Sequence, residues 1–555
     1  MRGPTTSALV FLLAASGCTD DTVSVDETGA AEASETTNST GDGDGDPSGD
    51  GDGDPSGDGD GEATGDGDGD PCGPECCPGE TQCVDDQSEV CNADGSAWEL
   101  LEDCDPIQGL SCNPDAGVCE GICAALELGQ TNLGCDFYPT ITLQFDDTNG
   151  TDHEFAVAVA NEGDEDAMVL VTQGEATILD TVVPAGAIEV VVLPWVPELT
   201  EGEGPSALTL EGAYRLRSDR PVGLVQHSPL RPAASNDASL LRPAHTWGTE
   251  VVVATWPHLD DAQLSIPAFY YVVAQRDGTS VTLSPPSEEF EIVPGGGVEA
   301  DGTGGALLDA GDVLQVITAA GDLSGAIVSA DKPIQVIAGH KCTFLPWWAG
   351  GCDHIEAALP PTSALATHYI VAPPAEIPDD YNHHGHIVHV LASEDQTTVS
   401  FEPDQELDGV LEHAGDFIEV EMGTESFAIT SDKPVLVMQY MVGQAAGYGI
   451  ADPSMLLTVA PEQFRREYLF FAPATWGASY ADVTAPTGTV VSVDGVEVDY
   501  WFPIADTGYS SAHVQLDNGG DGSHTLVADA PVGLSVYGAQ SAGSYWNPGG
   551  FGSTR

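Results

Sequence analysis

One pattern recurs four times along the chain: SDRPVGLVQH from Ser218, ADKPIQVIAGH from Ala330, SDKPVLVMQY from Ser431 and ADAPVGLSVYG from Ala528. The repeated Asp residues, Asp219, Asp331, Asp432 and Asp529, stand about one hundred residues apart. In each copy Asp and Pro precede a run of Val, Ile and Leu, so the motif reads as a tight turn between a strand that ends before it and a strand that begins at the Val or Ile. Pro then sits outside the hydrogen-bonded ladder, where its missing N–H costs nothing. Other pieces recur in the same order. VVVATWP from Val251, YIVAPPA from Tyr369 and YLFFAPA from Tyr468 open three of the units, and AGAIEV from Ala185, AGDVLQV from Ala310 and AGDFIEV from Ala414 fall mid-unit. The runs between them are short and rich in Val, Ile, Tyr and Phe, broken by Gly, Pro, Asp and Asn, with no long segment of 3.6-residue period. The fold class is therefore all-β, built of tandem antiparallel units. Units of this length suit sandwiches, and a propeller-like arrangement of the same strands is the alternative. The boundaries read as 123–245, 246–365, 366–465 and 466–555, together spanning 123–555.

What precedes these units has a different character. Residues 1–18 read as an export signal: Arg2 supplies a charge, Ala8 to Ala15 an apolar stretch, and Ala15-Ser16-Gly17-Cys18 a small-residue cleavage site. The block is similar to a bacterial lipobox, in which Cys18 carries the acyl chains that tether the mature protein. An ordinary signal peptide with Cys18 a bystander is the other reading. Residues 19–71 collapse to Gly, Asp, Ser, Thr and Pro, cannot form a core, and read as a disordered acidic linker. Its alternating Asp resembles the start of an EF-hand loop, yet the Glu at the twelfth position and the flanking helices are missing, so no calcium site is assigned. Residues 72–122 read as a small disulfide module. Of thirteen Cys, ten lie between Cys72 and Cys135, a density that replaces the core so short a segment cannot build. Four bridges fall among the first eight, with connectivity open, and Cys123 pairs with Cys135. Cys342 and Cys352, alone beyond Cys135, have each other as nearest partners.

Charge excludes whole classes of partner. Lys plus Arg total 13 against 90 Asp plus Glu, and no basic residue occurs between Arg2 and Arg215. Nucleic-acid binding and a polybasic membrane mode both need clustered cations, so neither applies, and membrane contact would run through the lipid alone.

Chemistry-bearing patterns are sparse. No nucleophile elbow, zinc-protease helix motif or P-loop is present. His383, His384, His386 and His389 form one dense cluster in which His384 and His386 would share a strand face. Loop and strand-surface histidines, with Asp379 and Asp380 as solvating neighbours, are the preferred reading, and no metal is assigned. Asp353 and His354 could be cast as a dyad, but no nucleophile accompanies them and capping of a turn is preferred. No catalytic residue or cofactor is assigned. Trp347 and Trp348, inside the Cys342–Cys352 loop, read either as a recognition tip or as core packing beneath it.

The stretch from Ala330 to Pro373, ADKPIQVIAGHKCTFLPWWAGGCDHIEAALPPTSALATHYIVAP, resembles the signature of the IgGFc-binding protein N-terminal domain family, in its lipoprotein-type form known from myxobacteria. The resemblance covers roughly residues 135–550 and rests on PIQVIAGHKC, the CDH from Cys352, Pro360-Pro361 and the YIVAP strand. It departs at Ala364 to Thr367, where a Trp-Gly such as Trp247-Gly248 is usual. The resemblance implies an extracellular, disulfide-containing β adhesion or scaffold region and does not carry Fc binding over; with the export signal and Cys18 the expectation is a lipid-anchored protein of the cell envelope, facing outward from the outer membrane, with a protein or glycan ligand. A secreted hydrolase with an unrecognised site and a purely structural envelope component are the competing functions.

Overall fold

The computed structural model describes residues 72–144, 154–200, 204–232, 235–260, 264–287 and 289–552. The export signal, Cys18 and the acidic linker lie outside the described residues. All described residues belong to one compact unit that begins at Asp70. Helix is confined to single turns, and every named pair of strands is antiparallel.

At the front of this body is the Cys-rich segment. A three-stranded sheet (Thr81–Val84, Gln87–Cys91, Trp98–Asp103) and a two-stranded ribbon (Ser111–Asn113, Val118–Glu120) are cross-linked by Cys72–Cys77, Cys76–Cys91, Cys83–Cys112 and Cys104–Cys119. Cys123 and Cys135 are joined where the chain leaves it. The segment is seated on the sheets behind it by Arg217 on Asp105 at 3.0 Å and by Arg276, which donates to the carbonyls of Leu100 and Leu101.

Four long strands organise the rest, each followed by a shorter return strand. They are β1 (Arg215–Ser228) with β2 (Asp237–Leu240), β3 (Ile327–Thr343) with β4 (Asp353–Leu359), β5 (Phe427–Met441) with β6 (Ser454–Leu457), and β7 (Ser523–Gln540) with β8 (Gly543–Pro548). Each long strand serves two sheets. In β5, Ala428 to Ser431 pair with Glu402 to Val399, whereas Val435 to Met441 pair with Ala392 to His386. In β7, Leu526 to Ala528 pair with Val493 to Val491, and Gly533 to Ala539 with Thr484 to Ala478. β1 and β3 change partners in the same way.

The repeated Asp-x-Pro lies at the change of sheet in every copy, inside one continuous strand, and is therefore not a turn between two strands. The reason is visible in the Asp side chains. Asp219, Asp331, Asp432 and Asp529 each accept the backbone N–H of a neighbouring strand, from Met168, Ser280, Thr398 and Val490 at 2.8, 2.8, 2.7 and 3.0 Å. The carboxylate stands in for the ladder where Pro cannot donate, so the chain bends between sheets without stopping.

Side-chain patterning separates the two sheets of a unit. TSVTLS (Thr279–Ser284) and TTVSFE (Thr397–Glu402) alternate buried and exposed, as strands with one wet face must. AFYYVVA (Ala268–Ala274) and HIVHVLA (His386–Ala392) are buried throughout because both faces are covered. Their outer neighbours belong to the adjoining unit: one core joins Phe137, Leu216 and Trp247 to Phe269, Tyr271 and Ile337, and another joins Val251, Leu323 and Leu345 to Ile387, Leu391 and Tyr440. Full burial of such a side chain contributes about 1.5–3 kcal/mol, so these seams hold the units in one body.

At the centre the return strands contact one another in a ring, β2 to β4, β4 to β6, β6 to β8 and β8 back to β2. A single carboxylate closes it. Asp237 accepts the N–H of Ala238 (2.9 Å) and Trp546 (3.0 Å) on Oδ1 and of Glu356 and Met455 (both 3.0 Å) on Oδ2, one from each return strand. One layer away Asp353 accepts the N–H groups of Asn236, His354 and Ser544, each two residues before a donor to Asp237. The fourth position of that layer is Pro453, which has no N–H to offer. The start of the first repeat also meets the end of the last, since Asn132 donates its N–H to the Phe551 carbonyl (2.9 Å) and Phe551 returns its N–H to Asn132 Oδ1 (3.0 Å).

Candidate functional site

The β3–β4 hairpin carries the loop singled out by the sequence. Cys342, near the end of β3, and Cys352, immediately before β4, are joined with their Cα atoms 5.1 Å apart. Between them the chain makes one compact arch. Leu345 and Ala349 point down and are buried, Leu345 into the core shared by the second and third repeats. Ala349 N–H donates to Pro346 O at 2.8 Å, and Leu345 O accepts from Gly443 N at 2.7 Å, which seats the arch on the segment after β5. Gly351 completes the return at φ +101°, a conformation that a side chain would strain. With the inward places taken by Leu345 and Ala349, the indoles turn out: Trp347 is 79% exposed and Trp348 53%. Both indoles therefore face solvent and do not pack in the core beneath the arch.

The other candidate residues are distributed differently. His384 lies between the carbonyls of Tyr448 and Val442, and His386 between Gln439 Oε1 and Glu425 O. His389 pairs with Glu419 at 2.9 Å and stacks on Trp256. His383 contacts His513 Nε2 at 3.0 Å, and His513 in turn contacts Asp482 Oδ1 at 2.8 Å. The four rings thus go to four separate partners; His384 does lie in the short connection before the strand that carries His386 and His389, but all three are buried and none is on an exposed face. Among the described residues no group of three or more His, Cys, Asp or Glu is placed to hold a metal ion.

Asp353 and His354 do not form a dyad. The Asp353 carboxylate is committed to backbone N–H groups of the ring, and the His354 ring lies 3.3 Å from both Thr142 Oγ1 and Glu356 Oε2, fully buried. Burial, and then the neighbouring Asp452, push the Asp353 carboxyl well above the usual range, while its amide partners oppose the shift. Asp452 itself is raised to about 7 by burial, with Oδ1 unpartnered.

The sequence matches a known family over most of the ring. The model of the "IgGFc binding protein" family covers residues 237–538, from β2 into β7. The chain belongs to the IgGFc-binding family. A human relative named "IgGFc-binding protein" is 26% identical over 324 residues, which is 56% of this chain and 6% of the relative. No solved structure matches the chain. The arch with Trp347 and Trp348 and the Asp353 clamp both fall inside the span matched to the IgGFc-binding family.

Two residues escaped the sequence reading. Tyr381, on the hairpin formed by Ala375–Glu376 and Asp379–His383, is 65% exposed, and Tyr500 is 50% exposed. Their rings meet at 5.2 Å and 76°, and Tyr500 meets Phe502 at 4.9 Å. The available signal was an aromatic flanked by acidic residues, DDYNHH from Asp379 and EVDYW from Glu497, since a core aromatic seldom sits among charges.

Proposed function

We propose that this chain is a non-catalytic binding protein of the cell exterior that captures an extracellular protein ligand through the Cys342–Cys352 arch. The observation that carries the reading is the outward placement of Trp347 and Trp348 on a loop braced by a disulfide and by two buried apolar feet. Rigid, exposed indoles supply large contact area at small entropic cost, which is how recognition surfaces concentrate their binding energy. Family membership supports a binding role over a hydrolytic one, and the name of the human relative makes immunoglobulin Fc one protein to test. Tethering through Cys18 at the outer membrane, with the acidic linker as a spacer, completes the proposal as a surface adhesion or scaffold lipoprotein. The test is capture of extracellular proteins, Fc among them, by the wild type and by Trp347→Ala with Trp348→Ala. Loss of capture with an unchanged thermal transition supports the reading, and undiminished capture overturns it. For the anchor, Cys18→Ser must leave the membrane fraction.

A further inference from the structure

The Trp arch does not stand alone. Its Leu345 carbonyl accepts from Gly443, so it rests on the segment between β5 and β6, and Ile450 of that segment donates to the Ile377 carbonyl (2.9 Å) of the Ala375–His383 hairpin. The hairpin in turn rests on the last repeat, through Ala375 N–H to Tyr537 Oη (2.9 Å), His383 to His513 (3.0 Å) and the Tyr381 ring against Tyr500. Four segments from three repeats, the first three joined by backbone hydrogen bonds and the last reached through the Tyr381–Tyr500 ring contact, therefore form one linked rim. It exposes Trp347, Trp348, Ile450 (38%), Tyr381 and Tyr500. Exposed aromatics on linked segments mark a binding surface, the Tyr381 and Tyr500 rings are in contact, and perpendicular packing on Phe502 (86°) keeps the Tyr500 ring in place.

Charge decides what the rim can take. No Lys or Arg occurs from Cys342 to Asp432 or from Glu467 to Thr554, so no cation flanks these rings in sequence. Glu376 is on the hairpin, and exposed Glu497 and Asp499 flank Tyr500. Anionic ligands are repelled. A Lys or Arg side chain is favoured twice, by the carboxylates and by ring faces over which its cationic head and apolar stem can lie.

We infer that the aromatic rim running from Trp347 and Trp348 to Tyr381 and Tyr500 binds a basic polypeptide segment in which Lys or Arg alternates with apolar side chains. This rests on the reading of the arch as a binding loop and adds the partner's chemistry and a second contact region. The experiment measures binding of the full chain, in 0.15 M salt, to a lysine–phenylalanine copolymer, a glutamate–phenylalanine copolymer and neutral dextran. Screening over about 8 Å suppresses long-range attraction to the acidic linker. The wild type binds the cationic copolymer in preference, and Tyr381→Ala with Tyr500→Ala weakens this about tenfold at unchanged net charge. Tyr381→Leu with Tyr500→Leu keeps apolar bulk, removes the ring faces and loses binding likewise. Equal binding by the Tyr variants, or binding of the acidic copolymer or dextran as strong as that of the cationic one, overturns the inference. Loss only in Trp347→Ala with Trp348→Ala upholds the arch and overturns the extended rim. Loss only in the Tyr variants upholds a cationic site at the Tyr end and overturns the arch.

Discussion

Replacing Asp237 by Asn tests the ring at its centre without changing volume. The carboxylate takes two amide donors on each oxygen. Asn keeps one oxygen and two of these bonds, and turns its NH₂ toward the other two donors, leaving both unsatisfied in a site that water does not reach. Each buried donor without a partner costs about 1–3 kcal/mol, so the substitution should destabilise by roughly 4 kcal/mol. Asp353→Asn supplies the scale, because only Ser544 N–H meets the second oxygen there and the expected loss is about 2 kcal/mol. Asp219→Asn supplies the baseline, since Met168 N–H uses one oxygen only and Asn can retain it. The assay is urea denaturation at pH 7, reading the midpoint shift multiplied by the slope m. A loss below about 1 kcal/mol for Asp237→Asn, or the same loss for all three, would falsify the claim that one carboxylate ties the four return strands together.

Three further outcomes follow from single groups. Burial alone holds His227 down to about 3 from its ordinary 6.5, between the rings of Phe471 and Tyr545. Its folded pKa lies below its unfolded one, so its stability is complete above pH 6.5 and falls by about 1.4 kcal/mol per pH unit on acidification toward 3. His227→Leu should flatten the pH–stability curve in that window. Asp452 has the opposite sign: raised from 3.8 to about 7, it gives full stability below pH 3.8 and loses it as pH rises through 7. Asp452→Asn should therefore raise the denaturation midpoint at pH 8 and leave it unchanged below pH 4. Cys342→Ser with Cys352→Ser removes about 2.8 kcal/mol of loop-closure stabilisation, yet the cooperative transition should survive while ligand capture falls. Loss of the transition would make the arch core structure instead.

The repeats were legible because they are carried by Pro and Asp, whose backbone effects are local and leave a mark in sequence. What the motif does at Pro221, Pro333, Pro434 and Pro531 was not, since a turn and a change of sheet ask for the same residues. The difference lies in a strand roughly thirty to fifty positions away, at Met168, Ser280, Thr398 or Val490. The Asp237 clamp left still less trace. Its partners are backbone amides of Glu356, Met455 and Trp546, and an amide N–H is the same whatever side chain it bears. For Trp347 and Trp348 the residues were visible and their direction was not, because it depends on Leu345 and Ala349 claiming the two inward positions. Tyr381 and Tyr500 become neighbours only when the third and fourth repeats pack, a contact no spacing encodes.

The meeting of Asn132 with Phe551 brings together segments more than four hundred residues apart. A chain made from its N-terminus presents the first repeat long before the last exists, and the open flank of that repeat stays wet until the final hairpin arrives. Contacts that span hundreds of residues are slow to form, so the final closing step should govern the folding rate. The same adjacency makes the body a candidate for circular permutation. In a chain that starts at residue 131, with Cys135 replaced by Ser because its partner Cys123 is gone, joining residue 552 to residue 131 by a short linker and opening the chain at an exposed turn elsewhere should return the same ring, with a different hairpin arriving last.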